Sequence, residues 1–231
     1  MAGKPTVLVS SAYAGVTDEW FDASFWGDSA VPVSSGGRGS AWFIHSNQGE
    51  LVLRHYRRGG LVARISGTKY FYTGAENVRA VAEFKLLGRL HAEGLPVPAP
   101  VAACYWRSGV FYQAAILTER VRPATTFGAL WKDWPASVWE KVGRTIRQFH
   151  DHGVFHADLN CFNILIHDAS PYLIDFDKGK YLPKLGRVER WKRANLARLY
   201  KSLAKELRSE HDRHSLDDLW KVLVRGYETG F

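Results

Sequence analysis

The sequence predicts an α+β chain of two lobes, sheet-rich over residues 1–122 and helix-rich over residues 123–231. Three observations predict it. The 231 residues suffice for two small lobes with a sizeable core. Apolar and polar residues alternate on both sides of Gly49 in "SSGGRGSAWFIHSNQGELVLRHYRRGG", the pattern of a hairpin with a glycine turn. Helical spacing of apolar residues occurs in a single segment of the first lobe and dominates the second.

Residues 1–30 read as an N-terminal extension, and the hairpin around Gly49 follows. "TGAENVRAVAEFKLLGRLHAEG" reads as a helix. Thr73 and Glu76 form a capping box, Val78, Val81, Phe84 and Leu87 make the apolar stripe, and Gly94 ends it. "LPVPAPVAACYW" must be extended, because each proline biases its predecessor out of the helical region. "GVFYQAAILTERV" reads as a further strand pair. Beyond Pro123, "PASVWEKVGRTIRQFHDHG" carries a second capping box, Ser137 with Glu140, and a stripe of Val138, Val142, Ile146 and Phe149 closed by Gly153. "NILIH" and "PYLIDF" are short strands around a turn. "WKRANLARLYKSLAKELR" is an amphipathic helix with Leu196, Leu199, Leu203 and Leu207 on one face, and a last helix spans roughly Leu216 to Tyr227.

Thirty-one Lys plus Arg against 23 Asp plus Glu give a net charge of +8. That balance favours anionic partners: nucleotides, nucleic acid, phospholipid head groups or phosphorylated sugars. Two cysteines, Cys104 and Cys161, argue against a disulfide framework and for a reducing, cytosolic compartment. The start "MAGKPTVLVSSAYAGV" reads as no signal peptide, and no apolar run is long enough to span a membrane. Resting on a membrane surface stays open.

The stretch "GVFHADLNCFNILIHDASPYLIDFDKG" sets His156, Asp158, Asn163, Asp175 and Asp177 among strand-forming residues. Asp158 and Asn163 bridge a loop and the start of one strand, and Asp175 ends its partner. Strand ends in a hairpin come together, so the three side chains converge. One carboxylate and one amide suit Mg²⁺, which takes substrate phosphates as further ligands. Asp158 is then left to receive the proton of an attacking hydroxyl, as phosphoryl transfer requires. Singly, Asp and Asn are turn residues. Jointly, H-x-D-L-x-x-x-N, strand, strand, D-F matches the protein-kinase signature.

With "GRGSAWF", "LVLRHYRRGG", "GLPVPAPVAA" and "LTERV", this stretch resembles the 3-deoxy-D-manno-octulosonic acid (Kdo) kinase family, lipopolysaccharide-core kinases of protein-kinase-like fold. The resemblance runs from about Ser35 to Leu207. It implies a bilobal fold: a small antiparallel sheet lobe with one helix that binds ATP, and a shortened, mostly helical catalytic lobe. It implies Asp158 as catalytic base, Asn163 and Asp175 as metal ligands, and His156 as a brace of the loop. It places Gly36, Gly37, Arg38 and Gly39 over the phosphates of ATP, Arg54 as the phosphate-pairing cation, Glu83 as its partner, and the backbone of Glu119 and Val121 against adenine. Arg54 stands where the protein-kinase signature has Lys, and Arg57 or Arg58 are its competitors. Asp177 replaces the glycine of D-F-G, either as a ligand for a second metal or as a turn cap, and no A-P-E-like segment follows. Both departures favour a small or glycolipid acceptor over a polypeptide.

The resemblance further implies ATP and Mg²⁺ as cofactors and Kdo–lipid A as acceptor, at its 4-hydroxyl. It implies a peripheral position on the anionic cytoplasmic face of a Gram-negative inner membrane, with no nucleic acid as partner. The alternatives are a heptose or protein kinase of the same fold, or a non-catalytic nucleotide-binding adaptor. The basic run Arg187, Arg190, Lys192, Arg193, Arg198, Lys201, Lys205 and Arg208 is a solvated face, a contact for an anionic membrane or glycolipid, or an RNA track. Arg57, Arg58, Arg64 and Lys69 with Tyr70, Phe71 and Tyr72 form a second basic-aromatic cluster, a candidate contact for the glycolipid at the interface. His150 and His152 read as helix-end histidines and Cys161 as packing.

Overall fold

A computed structural model describes residues 4–33, 41–57, 69–182 and 188–230. The glycine-rich stretch Gly36 to Gly39, with Arg58, Arg64 and Arg187, lies outside the described residues. The chain forms two compact units, one drawn from 1–88 and 99–120, the other from 89–98 and 121–231.

The first unit is built on a seven-stranded antiparallel sheet in the order β1-β6-β7-β4-β3-β2, with β5 on β7. Its strands are β1 (Pro5–Val9), β2 (Ala30–Pro32), β3 (Ala41–Ser46), β4 (Gly49–His55), β5 (Tyr70–Phe71), β6 (Pro100–Ser108) and β7 (Phe111–Glu119). The hairpin expected around Gly49 is β3–β4, with Phe43 opposite Val52 and Ala41 opposite Arg54. "GVFYQAAILTERV" is a single long strand rather than a strand pair. Its apolar run pairs back on the proline-marked segment, Ala103 opposite Ile116. The first thirty residues are no appendage: β1 pairs with β6, and Trp20 and Phe21 are buried against Leu51, Leu53, Val101 and Leu117.

Helix α1 (Arg79–Ala92) begins later than Thr73. Gly74, at φ +120°, opens a short 3₁₀ turn over Ala75–Asn77, and Val78 is extended and fully buried. The core takes Val78 first and the helix starts after it. The Thr73–Glu76 capping box therefore does not form. Thr73 O accepts from Asn77 Nδ2, and Glu76 pairs with Lys85 on the surface.

The second unit holds α2 (Ala136–Asp151), α3 (Val188–Ala204) and α4 (Glu210–Thr229). Strands β8 (Thr125–Thr126), β10 (Ile164–His167) and β11 (Ser170–Leu173) form a small sheet in the order β11-β10-β8, and β9 (Val154–Phe155) pairs with β12 (Lys180–Tyr181). The expected stripe of α2 is its buried face. Its capping box is absent, because Pro135 occupies the N-cap and Ser137 falls inside the first turn, while Glu140 binds Arg144. Helices α2 and α4 touch backbone to backbone: a Cβ on Gly143 would lie 2.0 Å from Leu223 O, and one on Gly226 2.2 Å from Glu140 O. Helix α4 starts at Glu210, capped by Ser209, a full turn and more before Leu216. Leu199 and Leu203 of α3 are fully buried, Leu196 is half-buried, and Leu207 lies beyond the helix end.

Candidate active site

In the first unit, Arg54 on β4 reaches Glu83 on α1. Arg54 Nη2 donates to Glu83 Oε1 at 2.6 Å and to Oε2 at 2.7 Å. Tyr56 OH also donates to Glu83 Oε2, and the Arg54 guanidinium lies 4.8 Å over the Tyr56 ring. Glu83 is 3% exposed while a quarter of the Arg54 side chain is open. A buried carboxylate is costly unless charge and hydrogen bonds satisfy it, and here both do. Its effect is to hold a guanidinium in one place.

Glu119, at the end of β7, accepts from Tyr13 OH at 2.6 Å, and burial together with that bond raises the Tyr13 hydroxyl well above its usual range. The backbone N–H of Glu119 is donated to Ala99 O at 2.9 Å, so that donor is already engaged. Val121 is the first residue of the second unit after the β7 connection and is half-buried.

In the second unit the loop from His156 to Asn163 is tied down residue by residue. His156 is buried, its Nε2 2.9 Å from Ile174 O and its ring 4.6 Å from that of Phe176. The amide of Asp158 donates to His156 Nδ1 at 3.2 Å, which makes Nδ1 the acceptor and Nε2 the donor. His156 is thus a brace between the loop and the segment after β11 that carries Asp175. Asn163 Nδ2 donates to Asp158 O at 2.9 Å, leaving its Oδ1 for another ligand. Ile174 N donates to Asn163 O at 3.1 Å, continuing the β10–β11 ladder by one rung. Asn163 is thereby set beside the residue that precedes Asp175.

Asp175 has φ +63°, a left-handed conformation uncommon outside glycine that Asp tolerates. Its Oδ1 is buried and accepts no hydrogen bond among the described residues, although the carboxylate has other contacts. A buried carboxylate oxygen and an amide oxygen are hard donors of the kind Mg²⁺ takes, alongside water and phosphate, and Asn163 and Asp175 supply one each. Asp177 is half-buried and engaged.

The structure brings together Arg54 with Glu83, and Asp158 with Asn163 and the turn that holds Asp175. It also adds residues of α3 that sequence reasoning left in the basic face. Asn195 Nδ2 donates to His156 O at 2.9 Å, Arg198 Nη1 lies 2.9 Å from Asp158 Oδ1, and Cys161 N donates to Ser202 Oγ at 2.9 Å. Asn195, Arg198 and Ser202 stand at i, i+3 and i+7, so one helix face docks on the loop. That spacing was the available signal, masked by the abundance of charge around it. Asn195 Oδ1 also faces His150 Nε2 at 3.4 Å, and burial among α2, α3 and α4 pushes His150 down to about 4. Cys161 is buried with its thiol pushed up by burial, as a packing residue should be.

The profile of the lipopolysaccharide kinase (Kdo/WaaP) family matches residues 23–226. The chain belongs to the lipopolysaccharide kinase (Kdo/WaaP) family. This kinase is 43% identical over 211 residues to the 3-deoxy-D-manno-octulosonic acid kinase of Xylella fastidiosa (strain M23), covering 90% of this chain and 83% of the relative. It is 45% identical over 212 residues, with the same coverage, to that of Xanthomonas campestris pv. campestris (strain B100). The solved structure of WaaP in complex with acyl carrier protein matches with a TM-score of 0.56 at 17% identity, over 94% of this chain and 88% of that one, a likeness of fold. The kinase has the expected α+β, protein-kinase-like fold and is a phosphotransferase with an alcohol group as acceptor. No helix among the described residues is long and apolar enough to cross a membrane.

Proposed function

We propose that this kinase transfers the γ-phosphate of ATP to Kdo in Kdo–lipid A, at the 4-hydroxyl, during lipopolysaccharide core synthesis. The observation that carries the reading is the loop in which Asp158 is exposed at its tip while His156 and Asn163 fix its backbone. Asp158 orients the sugar hydroxyl and takes its proton as the oxygen bonds to the γ-phosphorus. The bond to the β–γ bridging oxygen breaks and its electron pair leaves with ADP. Asn163 and Asp175 are the residues that would hold Mg²⁺, which, when bound, neutralises charge on the phosphates. Arg54, locked by Glu83 and with a quarter of its side chain exposed, pairs with phosphate oxygens. Gly36, Gly37, Arg38 and Gly39 covering the phosphates, and Glu119 and Val121 meeting adenine, complete the reading. Glu119 would do so through its carbonyl.

A glycolipid acceptor places the enzyme at the membrane, and we read it as peripheral on the cytoplasmic face of the inner membrane. The support lies in the first unit. Phe71 and Val110, 63% and 61% exposed, are the two most exposed large apolar residues described, and both lie at the Phe111 end of β7. Phe71 is opposite Phe111 in register, and Tyr72 N donates to Val110 O at 2.9 Å. Arg107 and Lys69 flank them, with no acidic residue in 69–74 or 105–113. Aromatic side chains beside cations suit an anionic lipid interface.

The test is transfer of labelled γ-phosphate from Mg²⁺–ATP to Kdo–lipid A and to lipid A lacking Kdo, by wild type and Asp158→Asn. Labelling of the Kdo-bearing acceptor alone is expected, falling about 10²–10⁴-fold in the mutant. Equal labelling of both acceptors would overturn the acceptor assignment, and an active mutant the role of Asp158.

A further inference from the structure

Between Arg147 and Lys178 the chain has no Lys or Arg, so its catalytic loop, "HADLNCFN", brings no cation of its own to the reacting phosphoryl group. Negative charge spreads over the equatorial oxygens of that group during transfer, and a positive group close to the base and the acceptor oxygen stabilises it beyond what Arg54 and a bound Mg²⁺ would supply. The structure assigns this role to Arg198 of α3: its guanidinium is the catalytic cation that stabilises the γ-phosphoryl group as it passes to the acceptor hydroxyl.

Three features carry the assignment. Arg198 Nη1 is 2.9 Å from Asp158 Oδ1, so it already sits at the point where hydroxyl, base and phosphorus must meet. Its side chain is 54% exposed and that of Asp158 56% exposed. An ion pair this open adds little to folding and leaves other donors of the guanidinium facing solvent, where a substrate approaches. Finally, the helix carrying it is fastened to the loop on either side of the contact, through Asn195 to the His156 carbonyl and Ser202 to the Cys161 amide. The backbone of Arg198 is held relative to Asp158 while its long side chain stays movable.

The pairing has a chemical logic. In the resting enzyme Arg198 neutralises Asp158. When the hydroxyl proton moves to Asp158, that carboxylate loses its charge and its hold on the guanidinium. The guanidinium then turns to the phosphoryl oxygens, where charge is increasing. The sugar O–P bond forms, the bond from phosphorus to the bridging oxygen breaks, and the proton ends on Asp158, so atoms and charge balance. A helix thus supplies what the loop lacks.

The inference rests on the phosphotransferase reading and does not depend on which hydroxyl accepts. Arg198→Ala and Arg198→Lys would be compared with wild type in two arms, phosphate transfer to Kdo–lipid A and slow Mg²⁺–ATP hydrolysis with water as acceptor. The expected result is a kcat about 10²–10³-fold lower in Arg198→Ala, with KM for ATP changed less than about threefold and an unchanged unfolding midpoint. Arg198→Lys should recover part of the loss. Added guanidinium ion should partly restore Arg198→Ala but not Asp158→Asn, a rescue that a merely structural arginine would not show. Transfer by Arg198→Ala at the wild-type rate overturns the proposal. Wild type that labels no Kdo–lipid A overturns the acceptor instead, and the hydrolysis arm then decides Arg198.

Discussion

Asn195 is a sharp test of how the second unit builds its catalytic loop. It is 2% exposed and makes two contacts, a donated bond of 2.9 Å to the His156 carbonyl and a long one of 3.4 Å to His150. Asn195→Ala removes both. The His156 carbonyl is left desolvated beside a gap, and a buried unsatisfied polar group costs about 1–3 kcal/mol. The 3.4 Å contact adds little, so the expected loss of stability is about 2 kcal/mol. Activity should fall further than folding, because that carbonyl belongs to the residue whose ring holds the Asp158 amide. A small drift of Asp158 from the acceptor oxygen lowers kcat about 10–100-fold. KM for ATP should stay within about twofold, since Asn195 touches none of the phosphate-pairing residues. Urea unfolding and steady-state transfer to Kdo–lipid A measure the two effects. A variant destabilised by less than about 0.5 kcal/mol with wild-type kcat would refute the argument that α3 positions the loop.

His150, pushed down to about 4 by burial, titrates near 6.5 when unfolded, so the unfolded chain binds the extra proton between those values. Stability therefore falls as pH drops through this window, by about 2 kcal/mol from pH 7 to pH 5, and His150→Asn should lose that part of the slope in urea unfolding. Equal slopes would sink the assignment. Phe71→Ser with Val110→Ser should lower binding to anionic phospholipid vesicles more than tenfold, by about 1.5–3 kcal/mol per large apolar side chain. Their ATP hydrolysis should be unchanged. Wild type that ignores anionic vesicles would defeat the membrane reading itself, whereas tight binding by the variants would move the contact elsewhere.

The sequence by itself determined the main hairpin, the principal helices and the identity of the chemistry. Alternation around Gly49, the α2 stripe and the spacing of Asp158, Asn163 and Asp175 are local patterns, legible because each element reports its own period along the chain. Arg54 and Glu83 were legible through the family resemblance, and the tertiary structure decided that they touch. The capping boxes misled because a favourable local pattern yielded to the burial of Val78 and to Pro135 at the N-cap. What only the tertiary structure decided lies where distant segments meet. The edge strand from residues 5–9, the backbone contact at Gly143 and Gly226, and the docking of Asn195, Arg198 and Ser202 on the catalytic loop belong to this class. The physical reason is that an arginine in a basic run carries the same local signal whether it faces solvent or a carboxylate forty residues away. Only the packing of α3 against the loop distinguishes the two.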